Sequence, residues 1–232
     1  MAVNESSSTG TRAVGVVLAG GEGRRMGVGV PKALRLLAGK PLAQHVIERL
    51  RPQVEELVVV ANDHQDSFRA LGAGLIADVI ADPEDVSQAA RVEGRRLGPL
   101  AGILAGMQWA SSRPGPAGWV LSAPADVPFL PRDLGQRLGA LLAAPPQGPA
   151  PQIVGVRSDG QREHALALWS VALAGDLRRA LIEEGLRRVE EFAGRYARAD
   201  LDWPGAADLF QNINTPAELA AAERRLLQRS KR

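Results

Sequence analysis

The stretch "AVGVVLAGGEGRRMG", residues 13–27, decides the reading of the fold. Its first seven residues are an uninterrupted apolar run rich in valine, the pattern of a strand covered on both faces. Two adjacent glycines, Gly20 and Gly21, end the run, followed by Gly23, Arg24 and Arg25. A strand that turns sharply on glycine exposes consecutive backbone N–H groups, and these make an anion-binding concavity. Cationic side chains beside it add charge-assisted hydrogen bonds, so the loop reads as a phosphate site. The alternative is that the glycines only let a strand and a helix pack closely. Neither familiar nucleotide fingerprint fits: Met26 stands where G-x-G-x-x-G needs its last glycine. The Gly39-Lys40 pair has Leu34 and Pro41 where a Walker A loop needs Gly and Ser or Thr.

Outward from this stretch, strand and helix patterns alternate. Strands are expected at residues 56–61, within 75–81 and at 118–123. Helices are expected from Pro41, from Gly98-Pro99 (with Leu100, Ile103, Leu104 and Met107 on one face) and from Pro131. Such alternation means crossover connections and a doubly wound, three-layer α/β fold with a mostly parallel sheet. Residues 144–151, "APPQGPAP", read as a linker-like segment. After them "QIVGVR" and "EHALALW" read as two strands joined by "SDGQ", antiparallel additions to the same sheet. Residues 83–97 are charged and unpatterned, a loop or short surface helix. Ligands of such sheets bind beyond the carboxyl ends of the strands. That rule singles out the loops after Ala19, after Ala61 and after Ala123.

Composition narrows the chemistry. The 232 residues contain no cysteine, which removes disulfides, thiolate metal sites and thiol catalysis together. A net charge of +2 is too small by itself to argue for a nucleic-acid partner, and none is expected; no apolar run is long enough for a membrane span. Residues 1–12 lack the marks of a targeting peptide and read as a short disordered tail of a cytoplasmic protein. All but three of the 28 basic residues are arginine. Two of the lysines, Lys32 and Lys40, follow the glycine loop, as a site preferring a compact point charge to a planar fork would have them. The three histidines show no dyad or metal spacing, and no G-x-S-x-G nucleophile elbow exists.

The motifs "LAGGEGRRMG", "PKALRLLAGKPL", "VVANDHQ", "GPLAGI", "PADVPFLP", "GLRRVEEF" and "NINTPAEL" occur in order from Leu18 to Leu219. Together they resemble the molybdenum cofactor guanylyltransferases, enzymes that join GMP from GTP to molybdopterin. The resemblance implies a Rossmann-like nucleotidyltransferase fold over residues 13–228, with 13–125 mainly binding the nucleotide and 126–228 mainly the acceptor. It implies that Leu18, Ala19, Gly20 and Gly21 with Arg25 and Lys32 hold the triphosphate. Asn62 and Asp82 fall at positions that recognise the guanine nucleoside, and Asp126 at the magnesium-binding aspartate. Arg187, Arg188, Asn212 and Asn214 fall on the acceptor side. GTP and molybdopterin are then the substrates and Mg²⁺ the cofactor. Molybdenum-insertion proteins and molybdoenzyme apoproteins or their chaperones would be the protein partners. Related alternatives are a CTP-dependent cytidylyltransferase or a non-catalytic nucleotide-binding protein.

This chain departs from the family pattern in three places. Pro31 stands where an aspartate commonly precedes the loop lysine, Ala165 follows His164 where proline is common, and the stretch between Asp82 and Gly98 is longer. Several of these residues also have a local reading. Asp126 lies between prolines, Asn62-Asp63 and Asp82-Pro83 are ordinary turn pairs, and Arg187-Arg188 fits a solvated face. Either Asn214 or Thr215 could cap a helix whose first turn holds Pro216 and Glu218.

Overall fold

The computed structural model describes residues 12–20, 30–76, 97–115, 117–143 and 148–229. β1 (Ala13–Leu18) is followed by a 3-10 turn (Lys32–Leu34), the two-residue strands β2 (Leu36–Leu37) and β3 (Lys40–Pro41), and α1 (Leu42–Leu50). Then come β4 (Leu57–Val60), α2 (Gln65–Arg69), β5 (Gly74–Ile76), α3 (Pro99–Ser111), β6 (Trp119–Pro124) and α4 (Leu134–Ala143). Next are β7 (Ile153–Ser158), β8 (Gln161–Ser170), α5 (Ala174–Ile182), α6 (Val189–Ala193), β9 (Arg198–Trp203), α7 (Ala207–Phe210) and α8 (Pro216–Arg229).

Seven strands form one sheet in the order β5-β4-β1-β6-β8-β7-β9. Only β8 runs against the rest, so the sheet is mixed but mostly parallel, as the alternating pattern predicts. From β1 the chain winds out through β4 to β5, then crosses back to lay β6 on the other side of β1. The carboxyl ends of β1 and β6 therefore flank the point where the winding reverses, the crevice in which doubly wound sheets bind ligands.

The apolar alternation of β1 supplies both faces. Ala13 and Val17 pack with α1 and α4 through Val46, Leu50 and Leu134. Val14 and Val16 pack with α3 and α5 through Ile103, Met107 and Leu177. On this second face α3 lies close against the sheet, because Gly102 and Gly106 carry no side chain where it crosses β1. A Cβ on Gly106 would stand 2.4 Å from Val16, and one on Gly102 would stand 2.7 Å from Leu18.

Two expectations are corrected. Pro41 does not open a helix: it pairs with Leu36 in a tight hairpin, and α1 begins at Leu42. The reason is the turn, where Ala38 (φ 49°) and Gly39 (φ 78°) both take left-handed backbone and swing Pro41 into extended conformation. The helix expected from Pro131 begins at Leu134, after a turn; the Gln53 side chain accepts from Gly135 N at 2.7 Å and donates to Pro131 O at 2.9 Å. The third strand covers Gly74–Ile76, and the rest of its expected range lies outside the described residues. The "SDGQ" connection does make a hairpin, with left-handed Asp159 (φ 46°) and Gly160 (φ 81°) at its tip. β9, an edge strand paired to β7, has no counterpart among the expected strands.

A third, small core joins segments far apart in sequence. Leu37 and Leu42 meet Phe129 after β6, and Ile213 and Ala222 around the start of α8. The capping question is answered at that start: Thr215 Oγ1 accepts from Glu218 N (3.2 Å), and Glu218 Oε2 accepts from Thr215 N (2.9 Å) and Asn214 N (2.5 Å). This is a reciprocal capping box with Thr215 at the cap.

Two stability predictions follow from these contacts. Gly106→Ala gains about 1 kcal/mol of helix propensity but overpacks β1, so a net loss of roughly 1–2 kcal/mol is expected in urea unfolding; a gain would mean α3 has room to lift. The amides of Asn214 and Thr215 hold the Glu218 carboxyl below its ordinary value of 4.5. Its stabilisation is therefore present above that value and lost as pH falls through the lower folded one. Glu218→Gln is expected to flatten this acid arm of the stability curve; an unchanged arm would show that the box carries no charge-assisted contribution.

Candidate active site

The carboxyl ends of β1 and β6 are stitched directly together, with Ala125 N donating to Leu18 O at 3.0 Å. Ala19 N donates across to Val60 O at 2.9 Å. Leu18, Ala19 and Gly20 thus leave the sheet at the crevice, with Gly20 exposed and open space where a Cβ would stand. Gly21 and Arg25 lie outside the described residues, as does Asp82.

Pro31, with φ −52° and ψ 144°, starts the 3-10 turn that carries Lys32. The Lys32 residue is only 9% exposed, and its ammonium is bonded by Asp126 Oδ2 and Asn214 Oδ1. Burying an ammonium is tolerable only when such acceptors face it. Asp126 is held from behind as well, since its backbone oxygen accepts from Ile213 N at 3.0 Å. The three residues come from three segments, and the small core of Leu37, Phe129 and Ile213 lies under their meeting point. Lys40, by contrast, pairs with Glu48 of α1 at 2.8 Å on the exposed side of its hairpin.

Asp126 Oδ1 is buried and has no hydrogen-bond partner. A bare, buried carboxylate oxygen at the ligand crevice is what a divalent cation would use. Mg²⁺ in particular takes only one or two carboxylates and keeps water and phosphate oxygens for the rest. No cluster of three or more acidic or histidine ligands exists among the described residues, so a metal here would rest on Asp126 and its substrate. The donor set fits magnesium in that form.

The other expected residues are spread along the same carboxyl edge. Asn62 is exposed just past β4, one strand over from β1. Asn212 and Asn214 bracket the Ile213 bond to Asp126, but only Asn214 reaches Lys32. Arg187 spends Nη1 on the carbonyls of Leu181 (2.9 Å) and Leu186 (2.8 Å). Arg188 is largely exposed and pairs with Glu190 at 2.8 Å. Sequence reasoning placed Glu218 only in a first turn. Its bonds to Asn214 N and Thr215 N hold the loop that aims Asn214 at Lys32. The signal was available in the T-x-x-E spacing of residues 215–218.

The MobA-like NTP transferase domain model matches residues 15–199. A molybdenum cofactor guanylyltransferase of Bradyrhizobium sp. (strain ORS 278) is 43% identical over 220 residues, covering 94% of this chain and 95% of its own. The enzyme of the same name from Rhodopseudomonas palustris (strain BisB5) is 44% identical over 217 residues, covering 93% and 95%. Among solved structures, molybdopterin-guanine dinucleotide biosynthesis protein A from Archaeoglobus fulgidus superposes with a TM-score of 0.67 at 25% identity, covering 93% of this chain and 99% of that one. With the reversal point and the aspartate after β6 in place, and with relatives at 43–44% identity over nearly the whole chain, the chain belongs to the MobA-like NTP transferases, in the branch of the molybdenum cofactor guanylyltransferases.

Proposed function

We propose that this protein transfers GMP from GTP to the phosphate of molybdopterin, releasing pyrophosphate and forming the guanine dinucleotide cofactor. The observation that carries this reading is the buried Lys32–Asp126 pair with one carboxylate oxygen left bare at the sheet's ligand crevice. In the reaction an oxygen of the acceptor phosphate bonds to the α-phosphorus. The bond from that phosphorus to the bridging oxygen of the β-phosphate breaks, and its electron pair leaves with pyrophosphate. The nucleophile is already an anion, so no strong general base is required. In keeping with that, His45 faces the Leu37 carbonyl and His164 faces Glu190, neither turned on Asp126.

What the step demands is charge neutralisation and alignment at phosphorus. Lys32 has three donors, of which Asp126 and Asn214 take two, so it can turn a donor to a phosphate oxygen from a fixed position. The triphosphate is assigned to Leu18, Ala19, Gly20 and Gly21 together with Arg25. Asn62, which stands on the β4 side, and Asp82 are assigned to the guanine. Asn212 and Asn214 face the acceptor, with Arg187 and Arg188 further along that edge. Mg²⁺ on Asp126 Oδ1 would supply Lewis-acid neutralisation of the phosphate charge. The finished cofactor passes to molybdoenzyme apoproteins or their chaperones. No helix among the described residues is long and apolar enough to cross a membrane.

The test is pyrophosphate release from purified protein given molybdopterin, MgCl₂ and either GTP or CTP. Release with GTP alone, abolished by EDTA, is expected; turnover with CTP in its place would sink the guanine assignment. Asp126→Asn and Lys32→Met should each lower kcat by at least about 10²-fold, the scale on which a positioned charge acts in a closed site. Near-full activity in a folded Asp126→Asn protein would remove that residue from the metal and from the mechanism.

A further inference from the structure

A second site lies along the same carboxyl edge, beyond β6. There the ladder of β7 and β8 breaks register: Gly155 pairs with Ala167, but Arg157 pairs with Arg162. Residues 163–166 therefore stand against Val156 alone, a bulge much larger than the single extra residue of an ordinary one. The bulge is pinned in shape. Ser122 Oγ donates to Ala165 O at 2.7 Å and accepts from Trp169 Nε1 at 2.8 Å, while His164 Nε2 meets Glu190 at 3.2 Å.

The bulge puts Glu163 on the wall of a pocket of about 550 Å³ that Ser158, Phe210, Gln211 and Asn212 also line. Two observations mark this pocket as built for a ligand. Ser158 is 4% exposed, and its Oγ has no hydrogen-bond partner, a cost that native proteins rarely leave uncompensated. Glu163 is half-buried, and burial alone pushes its carboxyl up, with no cation or donor offsetting it. The neighbouring Asp159 is different, because its carboxylate is spent on Gly205 N (2.6 Å) and Ala207 N (3.2 Å).

The lining also says what kind of group belongs here. No lysine or arginine is among the described residues of the wall, and Asp159 and Asp208 add two further acids, so a phosphate would be repelled. Three carboxylates, a hydroxyl, three amides and a phenyl ring suit a flat, neutral heterocycle with adjacent N–H donors. The pocket is also at the right place. Asn212 lines it, Ile213 N bonds Asp126 O, and Asn214 bonds Lys32. Two residues span at most about 7 Å, so a ligand can lie in the pocket and still put a phosphate at the Lys32–Asp126 pair.

We propose that this pocket holds the aminopyrimidinone ring of the pterin acceptor, with Glu163 accepting from its ring N–H and exocyclic amine and Ser158 bonding its edge. This rests on the acceptor reading above. Guanine presents the same donor edge, but the reading above assigns the base to Asn62, which lies on the β4 side of β1, whereas Glu163 lies on the β8 side of β6.

The experiment titrates 6-hydroxymethylpterin, by its own fluorescence, and a fluorescent GTP analogue against wild-type protein, Glu163→Gln and Ser158→Ala. Thermal melts check that both variants fold. Pterin affinity is expected to fall about tenfold or more in Glu163→Gln and several-fold in Ser158→Ala, with GTP affinity within twofold of wild type. In steady state, Glu163→Gln should raise KM for molybdopterin by a similar factor and leave KM for GTP and kcat within about threefold. Absence of pterin binding to wild type, unchanged pterin affinity in both variants, or a loss confined to GTP would each overturn the assignment. If pterin binds and Glu163→Gln abolishes it, but GMP never reaches molybdopterin, the pocket stands and the proposed reaction falls.

Discussion

A nine-tenths buried ammonium constrains this molecule more tightly than any other single group. Lys32 has to find acceptors, because a desolvated cation without them would cost several kcal/mol. It finds them in Asp126 and Asn214, which lie 94 and 182 residues further along the chain. Each acceptor is in turn held by something else: Asp126 by the end of β6 and the Ile213 amide, Asn214 by the capping box of α8. The 3-10 turn of Lys32, the reversal of the sheet and the C-terminal helix are therefore coupled through one ion pair.

That coupling explains why the small core of Leu37, Leu42, Phe129, Ile213 and Ala222 matters out of proportion to its size. The two large cores build the three layers, but neither brings the start of α8 to the loop after β6. Glu223 adds to the same junction by accepting from Ala38 N at 3.2 Å, which ties α8 to the hairpin behind Lys32. The site is thus rigid on the side of Lys32 and Asp126 and bare at one oxygen, as a catalyst relying on fixed charges would be.

Much of the fold was legible because burial leaves a period in the sequence. The valine run of β1, the Gly-Pro start of α3 and the Asp-Gly tip of the β7–β8 hairpin each encode a local conformation, and each is where the pattern put it. Pro41 misled for an equally local reason. Proline suits both a first helical turn and an extended strand, and the left-handed Ala38-Gly39 pair chose the strand. β9 escaped notice because its "RADLDW" pattern is that of a polar edge, with little apolar alternation to read.

The sequence by itself determined the strand at residues 13–18, the alternation that makes a doubly wound sheet, and the rarity that singled out Lys32. The tertiary structure alone decided that β6 lies beside β1, that Thr215 caps α8 while Asn214 goes to Lys32, and that residues 163–166 bulge toward a pocket. The physical reason is range. Hydrophobic period and turn chemistry act over a few residues and survive in the chain as written. The partner of a buried charge, or the register of a strand, is chosen by whichever distant groups the packed layers bring within hydrogen-bonding reach.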